Sequence, residues 1–245
     1  MKYSISAFFP CYNDAGTIAS MVELATSTLN KIADDFEIIV IDDGSRDRSR
    51  KILKELSSVN PYLKLVFHEK NKGYGGALQS GFKTAKKDLV FYTDGDAQYD
   101  VTELVNLFAK ISDKVDIVQG YKIKRSDPWY RVVIGDLYNF GVRLAFNIKI
   151  KDVDCDFRLI RRSVFDKVKL VHNSGVITVE MVKKFQDAGF KFAQVPVNHY
   201  FRSYGRSQFF NFKRIFDVAV ELLFLWRELV LAKWLGTNSS KTKIF

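Results

Sequence analysis

The stretch FYTDGDAQYD, residues 91–100, carries oxygen-bearing side chains at alternate positions directly behind an apolar, strand-like run. Asp94, Asp96 and Gln98 are two residues apart, and residues two apart in an extended segment project on one side. Oxygen ligands of this kind suit Mg²⁺ or Mn²⁺, which also take ligands from the phosphates of a substrate. Gly95 lets the backbone approach closely. The spacing predicts a metal site, although the same residues could form a polar turn that merely ends a strand.

Three more polar clusters follow apolar runs: PCYND, DDGSRD and NKGYGG. In an open parallel sheet, ligands bind beyond the carboxyl ends of the strands, so four clusters at such ends indicate one cleft. The adjacent carboxylates Asp42 and Asp43 suit hydrogen bonds to a base or ribose, whereas Ser45 is explained equally well as a helix cap. The glycines of NKGYGG precede a predicted helix, where backbone amides favour phosphate. Their spacing matches neither the P-loop nor the dinucleotide fingerprint, which argues against an ordinary NTPase or dehydrogenase.

The elements that must position these clusters alternate between strand-like and helix-like patterns. Continuous apolar runs between amphipathic helices predict an α/β fold with a mostly parallel sheet covered on both faces. Asp100 followed by Glu103 predicts a helix start with a capping box. The predicted strands are 3–9, 36–42, 63–68, 88–93, 115–121, 158–162 and 191–197, and the predicted helices are 17–32, 45–56, 76–86, 101–111, 129–146 and 178–188.

Composition narrows the class of protein. A chain of 245 residues is long enough to bury a full core as one domain. The net charge of +10 invites a nucleic-acid partner, but Lys and Arg are scattered among acidic residues, so we expect no nucleic acid. An anionic small ligand or an anionic membrane surface explains the charge equally well. Cys11 and Cys155 are too few for a disulfide framework or a zinc site, which favours a cytoplasmic setting.

We expect one domain, residues 1–207, and a helical extension, residues 208–245. Within the domain, residues 1–121 form the half expected to bind the nucleotide and the metal, and residues 122–207 form the half expected to bind the acceptor. The extension is apolar but interrupted by charges, so it is not expected to span a bilayer, and no signal peptide is expected. It could lie in a membrane interface, pack on the domain or join two subunits. Residues 129–131 could form a second membrane-facing patch. The polar stripe of the extension comprises Arg214, Asp217, Glu221 and Glu228.

Taken together, the motifs FFPCYND, IIVIDDGSRDRS, NKGYGGALQSG, FYTDGDAQYD, DVDCDFRLIRR and VPVNHYFRSYGRS resemble those of the family 2 glycosyltransferases. The similarity is greatest to the dolichol-phosphate or polyprenyl-phosphate mannose and glucose synthases. It covers residues 3–207, and the order and spacing of the motifs make it specific. The resemblance implies the GT-A fold, a Rossmann-like α/β domain that binds nucleotide-diphospho-sugars.

The resemblance also implies a role for each matching residue. Asp14 stands where the family has a longer Glu, Lys122 where relatives often have an Arg that grips phosphate with two donors, and Gly135 where a Ser is common. Metal ligands are implied at Asp94, Asp96 and Gln98, and catalytic roles at Asp96, Asp152 and Arg202. Acceptor or phosphate binding is implied for Arg131, Asn139, Arg158, Arg202 and Ser207. Nucleotide-sugar binding is implied for Pro10, Tyr12, Asn13, Asp14, Asp42, Asp43, Lys72, Gly73, Asp94, Gly95 and Lys122.

The implied reaction is the inverting, Mg²⁺- or Mn²⁺-dependent transfer of a hexose from a UDP- or GDP-sugar to polyprenyl phosphate at the inner face of a membrane, by a peripheral protein. A phosphate acceptor has a second pKa of about 6, so it is already an anion near neutral pH and needs no strong base. A sugar hydroxyl acceptor would benefit from a base. A nucleotidyltransferase and a non-catalytic nucleotide-sugar-binding module are alternatives of other classes, and the oligomeric state stays open. The candidate bases, which could instead pair with nearby arginines, are Asp152, Asp154, Asp156 and Glu180.

Overall fold

The computed structural model describes residues 3–125, 128–204 and 212–235. Its strands are β1 (Ile5–Cys11), β2 (Phe36–Asp42), β3 (Leu63–Phe67), β4 (Leu89–Thr93), β5 (Ile117–Arg125), β6 (Phe157–Arg161) and β7 (Phe192–His199). They form one seven-stranded sheet in the order β3-β2-β1-β4-β6-β5-β7. Strand β6 runs antiparallel to both of its neighbours, and the remaining pairs are parallel.

The central strands are buried along their whole length. Every residue of β1, β2 and β4 is buried, because helices cover both faces of the sheet. The predicted α/β fold with a mostly parallel sheet is therefore confirmed. Strand order reverses where β1 lies between β2 and β4, and the carboxyl ends of the strands flank a crevice there.

The helices that follow the strands are α1 (Ile18–Ile32), α2 (Ser49–Val59), α3 (Gly73–Thr84), α4 (Leu104–Phe108), α5 (Trp129–Phe146), α6 (Val164–Lys167), α7 (Ile177–Asp187) and α8 (Phe212–Trp226). A π-helical turn (Arg227–Leu231) and the short α9 (Ala232–Trp234) continue α8. Helix α2 begins four residues later than the sequence predicted. The reason is that the Ser45 hydroxyl accepts the amide of Asn13 at 3.0 Å instead of capping a helix, while the Asp47 carboxylate accepts the amide of Ser49 at 2.9 Å.

Helix α3 begins at Gly73, three residues earlier than predicted. Glycine disfavours a helix in isolation, so nothing in the local pattern favoured a start there. Tertiary contact supplies the reason, because the amide of Gly75 donates to the carbonyl oxygen of Asn173 at 2.8 Å. A β-carbon at position 75 would come within 2.2 Å of the carbonyl oxygen of His172. Only glycine permits this close packing of two chain segments.

Asp100 caps the next helical turn as predicted. Its carboxylate accepts the amide of Thr102 at 2.9 Å, at the start of a 3₁₀ turn (Val101–Glu103) that leads into α4. The predicted capping box is wrong, because the Glu103 carboxylate accepts the side-chain amide of Asn198 at 2.9 Å instead. Glu103 thus ties this turn to the end of β7.

The C-terminal helix packs on the domain through one face. Leu225 and Leu229 are buried against Val142 and Phe146 of α5 and Val179 of α7, and the Trp226 indole donates to the carbonyl oxygen of Ala145 at 2.9 Å. Of the three arrangements left open by the sequence, packing on the domain accounts for this face. Within the described residues, no helix combines the length and the apolarity needed to cross a bilayer.

Candidate active site

Two carboxylates lie in the turn after β4, one of them, Asp96, buried and the other, Asp94, half-buried. The Asp94 carboxylate accepts the phenolic hydroxyl of Tyr74 at 2.8 Å, and the Asp96 carboxylate pairs with Arg202. Burial raises the pKa of both groups. The charges of Asp156 and Asp96 raise the pKa of Asp94 further, whereas Arg202 opposes the effect at Asp96. Like charges held close together with little contact to water favour a bound cation.

The turn differs from the extended segment on which the predicted convergence of ligands rested. Ala97 has a left-handed φ of 59°, and the amide of Gln98 folds back to the Asp96 carboxylate at 3.0 Å. The alternation argument is therefore wrong for this stretch. Gly95 approaches β1 so closely that a β-carbon there would lie 2.8 Å from the carbonyl oxygen of Pro10.

The predicted metal ligands fit a cation that completes its shell with substrate oxygens. Among the described residues, no group of three or more His, Cys, Asp or Glu side chains is arranged to hold a metal ion. Asp94 and Asp96 supply two carboxylates, a number that Mg²⁺ commonly takes when phosphates provide other ligands. The Gln98 side-chain amide donates to the carbonyl oxygen of Tyr200 at 3.2 Å, so this residue also holds the segment that carries Arg202.

The loop after β1 presents Asn13 and Asp14 to the same crevice. Asn13 has a φ of 60°, and its side-chain oxygen accepts the amide of Arg46 at 2.8 Å, which joins this loop to the one after β2. The Asp14 carboxylate accepts the amide of Tyr12 at 2.9 Å. Burial raises the pKa of Asp14 to about 6, despite that hydrogen bond.

Asp42 lies at the end of β2, and only one of its two carboxylate oxygens has a hydrogen-bond partner within the part of the chain that the structure describes. The residue is fully buried, and its Oδ1 accepts the guanidinium Nε of Arg50 at 2.5 Å. Its Oδ2 is buried without a hydrogen-bond partner among the described residues. An unsatisfied buried carboxylate oxygen is costly, and a ligand that donates a hydrogen bond would remove the cost.

Asp43, the second carboxylate of the pair, is already engaged by the protein. Its Oδ1 accepts the amide of Lys72 at 2.8 Å and lies 2.6 Å from Nδ1 of His68, whose Nε2 lies 2.8 Å from the Ser80 hydroxyl. Asp43 thereby fixes the turn at Lys72 and Gly73, the latter with a φ of 82°. Sequence reasoning missed His68, although its position directly behind β3, at the same edge of the sheet as the other polar clusters, was a usable signal.

A polar pocket lies between β5, α5 and the acidic stretch before β6. The Lys122 ammonium lies 3.6 Å from the Asp152 carboxylate and 3.1 Å from the carbonyl oxygen of Asp154. The Asn139 side chain donates to the carbonyl oxygen of Lys151 at 2.8 Å and so anchors the acidic stretch to α5. Burial raises the pKa of Asp154 to about 6. The pocket is lined by Tyr121, Lys122, Gly135, Asp136, Asn139, Lys151, Asp152 and Asp154.

Arg158 lies beneath the site rather than at its surface. Only 1% of the residue is exposed. Its three guanidinium nitrogens donate to Gln119, to the hydroxyl of Tyr92 and to the carbonyl oxygen of Val153. The carboxylate of Asp156 lies 3.5 Å from the same guanidinium. Arg158 therefore has almost no exposed surface with which to make the predicted phosphate contact. Its position favours a supporting role, in which the guanidinium compensates the negative charge of the acidic residues above it.

The segment after β7 crosses the crevice. The amide of Tyr200 donates to the carbonyl oxygen of Gln98 at 2.8 Å, and the ring of Tyr204 lies so close to Gly16 that a β-carbon there would come within 2.3 Å of it. Between these contacts Arg202 reaches Asp96, while its Nε is buried without a hydrogen-bond partner among the described residues. Ser207, a predicted acceptor residue, lies outside the described residues.

The structure thus brings together the predicted residues of four loops. Asp14, Asp42, Asp94 and Asp96 share the crevice at the carboxyl ends of β1, β2 and β4, with Arg202 above them. Lys122, Asn139 and Asp152 share the neighbouring pocket, and Arg131 lies in the first turn of α5. Sequence reasoning missed Tyr74, because nothing local indicates that a tyrosine among glycines will meet a carboxylate 20 residues away.

The fold and the crevice define a GT-A glycosyltransferase domain, as the sequence motifs predicted. The model of the family described as "Glycosyl transferase family 2" matches residues 6–169, so the chain belongs to that family. Among curated proteins, an undecaprenyl-phosphate 4-deoxy-4-formamido-L-arabinose transferase of Aeromonas hydrophila is 28% identical over 207 residues. The match covers 84% of this chain and 62% of that relative, so the chain spans less than two thirds of the relative's length.

Solved structures agree on the fold. Glucosyl-3-phosphoglycerate synthase from Mycobacterium tuberculosis, in complex with Mn²⁺, UDP and glucosyl-3-phosphoglycerate, matches with a TM-score of 0.66 and 17% identity. The match covers 98% of this chain and 82% of that one. A structure described as a mycobacterial protein matches with a TM-score of 0.64 and 18% identity, covering 98% of this chain and 76% of that one.

Proposed function

We propose that this chain is a divalent-metal-dependent, inverting glycosyltransferase that moves a hexose from a UDP- or GDP-sugar to polyprenyl phosphate. The observation that carries the proposal is the pair of carboxylates with raised pKa, half-buried Asp94 and buried Asp96, in one crevice with an oxygen of Asp42 that has no hydrogen-bond partner among the described residues. The curated relative, an undecaprenyl-phosphate sugar transferase, supports the choice of acceptor. The complex of the mycobacterial synthase with Mn²⁺ and UDP supports the donor and the metal.

Different residues bind different parts of the nucleotide-sugar donor. Asp42 accepts a hydrogen bond from the nucleoside, and Asp14 lines the same side of the crevice. Asp94 and Asp96 would hold the cation, and the cation would stabilise the charge that develops on the leaving nucleoside diphosphate. Arg202, whose Nε lacks a described partner, adds positive charge over the diphosphate from the opposite side.

The acceptor approaches from the side of the polar pocket. Lys122 lies there beside Asp152, and α5 carries Arg131 at its start. A phosphate monoester acceptor brings its own negative charge, so attack on the sugar needs positioning more than deprotonation. Basic residues at the pocket are suited to that task.

A membrane surface as partner is supported by the outward face of α5. Trp129, Val133, Leu137, Phe140 and Leu144 recur at helical spacing on one stripe, and Leu137 and Leu144 are 66% and 74% exposed. The opposite stripe packs against α8. An apolar stripe on a helix beside the acceptor pocket fits a protein that lies on the membrane interface and takes a lipid-linked acceptor from it.

The proposal is tested by transfer of a radiolabelled hexose from UDP- and GDP-sugars to polyprenyl phosphate, extracted into organic solvent. Wild-type protein with Mg²⁺ or Mn²⁺ is expected to label the lipid, and Asp96→Ala is expected to lose this activity while remaining folded. Asp100→Ala is the matched control, because Asp100 lies in the same stretch but caps a helix. Absence of transfer from every common nucleotide sugar, or wild-type activity of Asp96→Ala, would refute the proposal.

A hydroxyl acceptor is the second candidate, favoured by the raised pKa of Asp154, which burial brings to about 6. A carboxyl group with such a pKa suits a general base. Glu180 is not available for the role, because it is fully buried and accepts the amides of Val171 and His172 and the ammonium of Lys184. Full activity after single replacement of Asp152 and Asp154 would count against a hydroxyl acceptor.

A further inference from the structure

Tyr74 meets one of the two metal-site carboxylates from a separate part of the chain. It lies in the first turn of α3, and its hydroxyl donates to Oδ1 of Asp94 at 2.8 Å. The ring packs against the apolar cluster that includes Leu78 and Tyr92 on one face of the sheet. Neither the family model nor the names of the similar proteins assign a role to this side chain.

The position of Tyr74 is set by contacts between segments of the fold. The amide of its neighbour Gly75 donates to the carbonyl oxygen of Asn173 at 2.8 Å. One turn further along α3, the side-chain amide of Gln79 donates to the carbonyl oxygen of His172 at 2.9 Å. Residues 172–173 therefore clamp the turn that carries Tyr74, and this clamp places the Tyr74 hydroxyl at Asp94.

We propose that Tyr74 is a positioning residue for the divalent cation, because its hydrogen bond to Oδ1 fixes the rotation of the Asp94 carboxylate and leaves the other oxygen for the metal. This inference rests on the proposed function, in which Asp94 is a metal ligand. Partners that hold a ligating carboxylate in place are worth about 10–100-fold in metal affinity. A role in core packing alone would not need the hydroxyl, since phenylalanine fills the same apolar site.

The test is the dissociation constant of Mn²⁺, measured on the full chain by the electron paramagnetic resonance signal of the unbound ion, with and without UDP. Tyr74→Phe is expected to raise this constant about 10–100-fold. Tyr62→Phe is the matched control, because it removes a hydroxyl from a ring that stacks on Phe36 at 4.3 Å, far from the carboxylates. Gln79→Ala, which removes part of the clamp, is a second variant expected to move the constant in the same direction by a smaller factor.

Turnover gives an independent readout. If Tyr74 acts through the cation, excess Mn²⁺ restores the kcat of Tyr74→Phe, whereas a damaged core would not respond to added metal. An unchanged Mn²⁺ constant in both Tyr74→Phe and Gln79→Ala, with wild-type protein that binds the ion, would overturn the inference and leave the proposed function intact. Wild-type protein that binds no Mn²⁺ even in the presence of UDP would overturn the metal part of the proposed function as well.

Discussion

Replacing Arg158 by Met tests whether the buried guanidinium compensates the acidic residues above it. The substitution keeps most of the side-chain volume but removes a charge that is 1% exposed, together with donors to Gln119, Tyr92 and Val153. It leaves Asp156, whose carboxylate lies 3.5 Å away, without this cation. Breaking a buried ion pair by removing one partner costs about 3–5 kcal/mol. For a chain of this size, about 2–4 °C of melting temperature is lost per kcal/mol, so a fall of about 6–20 °C is expected.

The assay is chemical denaturation at neutral pH, with calorimetry for the melting temperature. Arg158→Lys, which keeps the charge but loses part of the hydrogen bonding, is expected to fall between the wild type and Arg158→Met. Arg162→Met is the control, because Arg162 directly follows the same strand. Arg162 is 43% exposed and pairs with Asp166 at 3.5 Å, so its loss should change stability by no more than about 0.5 kcal/mol. Equal stability of Arg158→Met and Arg162→Met would refute the reasoning. If Arg158→Met were stable but bound the acceptor more weakly, that result would instead support the phosphate contact predicted from the sequence.

Three further perturbations have expected outcomes. Asp42→Asn should weaken UDP or GDP binding about 10–150-fold by calorimetry, because hydrogen bonds to charged groups contribute about 1.5–3 kcal/mol. Unchanged affinity would remove Asp42 from the nucleotide site. Arg202→Gln should tighten Mn²⁺ binding in the absence of nucleotide, since Arg202 otherwise pairs with the Asp96 carboxylate; weaker binding would contradict that competition. The Glu180 carboxylate raises the pKa of His172 above its usual 6.5, and Glu228 adds to the effect while Lys184 opposes it. The stability that His172 contributes should therefore be fully present below about pH 6.5 and lost as pH rises through the raised pKa. In His172→Gln the unfolding free energy should lack this component, and an identical pH profile would exclude the ion pair.

The order of the elements was readable from the sequence, because the apolar pattern reports burial directly. The runs at 36–42 and 88–93 lack polar alternation, so they predicted strands covered on both faces, and the structure confirms β2 and β4 there. Helix α5 has the predicted bounds, Trp129–Phe146. The crevice was predictable for a topological reason, since polar residues directly behind parallel strands must meet at one edge of the sheet.

Partners distant in the sequence decided what local reasoning missed or misjudged. Glu103 accepts a hydrogen bond from Asn198 instead of forming the predicted capping box, and Asp43 is engaged by His68 and Lys72. Each of these choices depends on which segments the fold places side by side, and no local pattern records that.

The sequence by itself determined the family, the α/β fold and the set of carboxylates that lie at the carboxyl ends of the strands. Only the tertiary structure decided how each carboxylate is used. The Asp94 carboxylate is held by Tyr74, the Asp96 carboxylate pairs with Arg202, and the Asp42 carboxylate keeps one oxygen unpartnered among the described residues. The physical reason is that burial follows from the period of apolar residues along the chain, whereas hydrogen-bond and ion-pair partners follow from contacts between segments that are far apart in sequence.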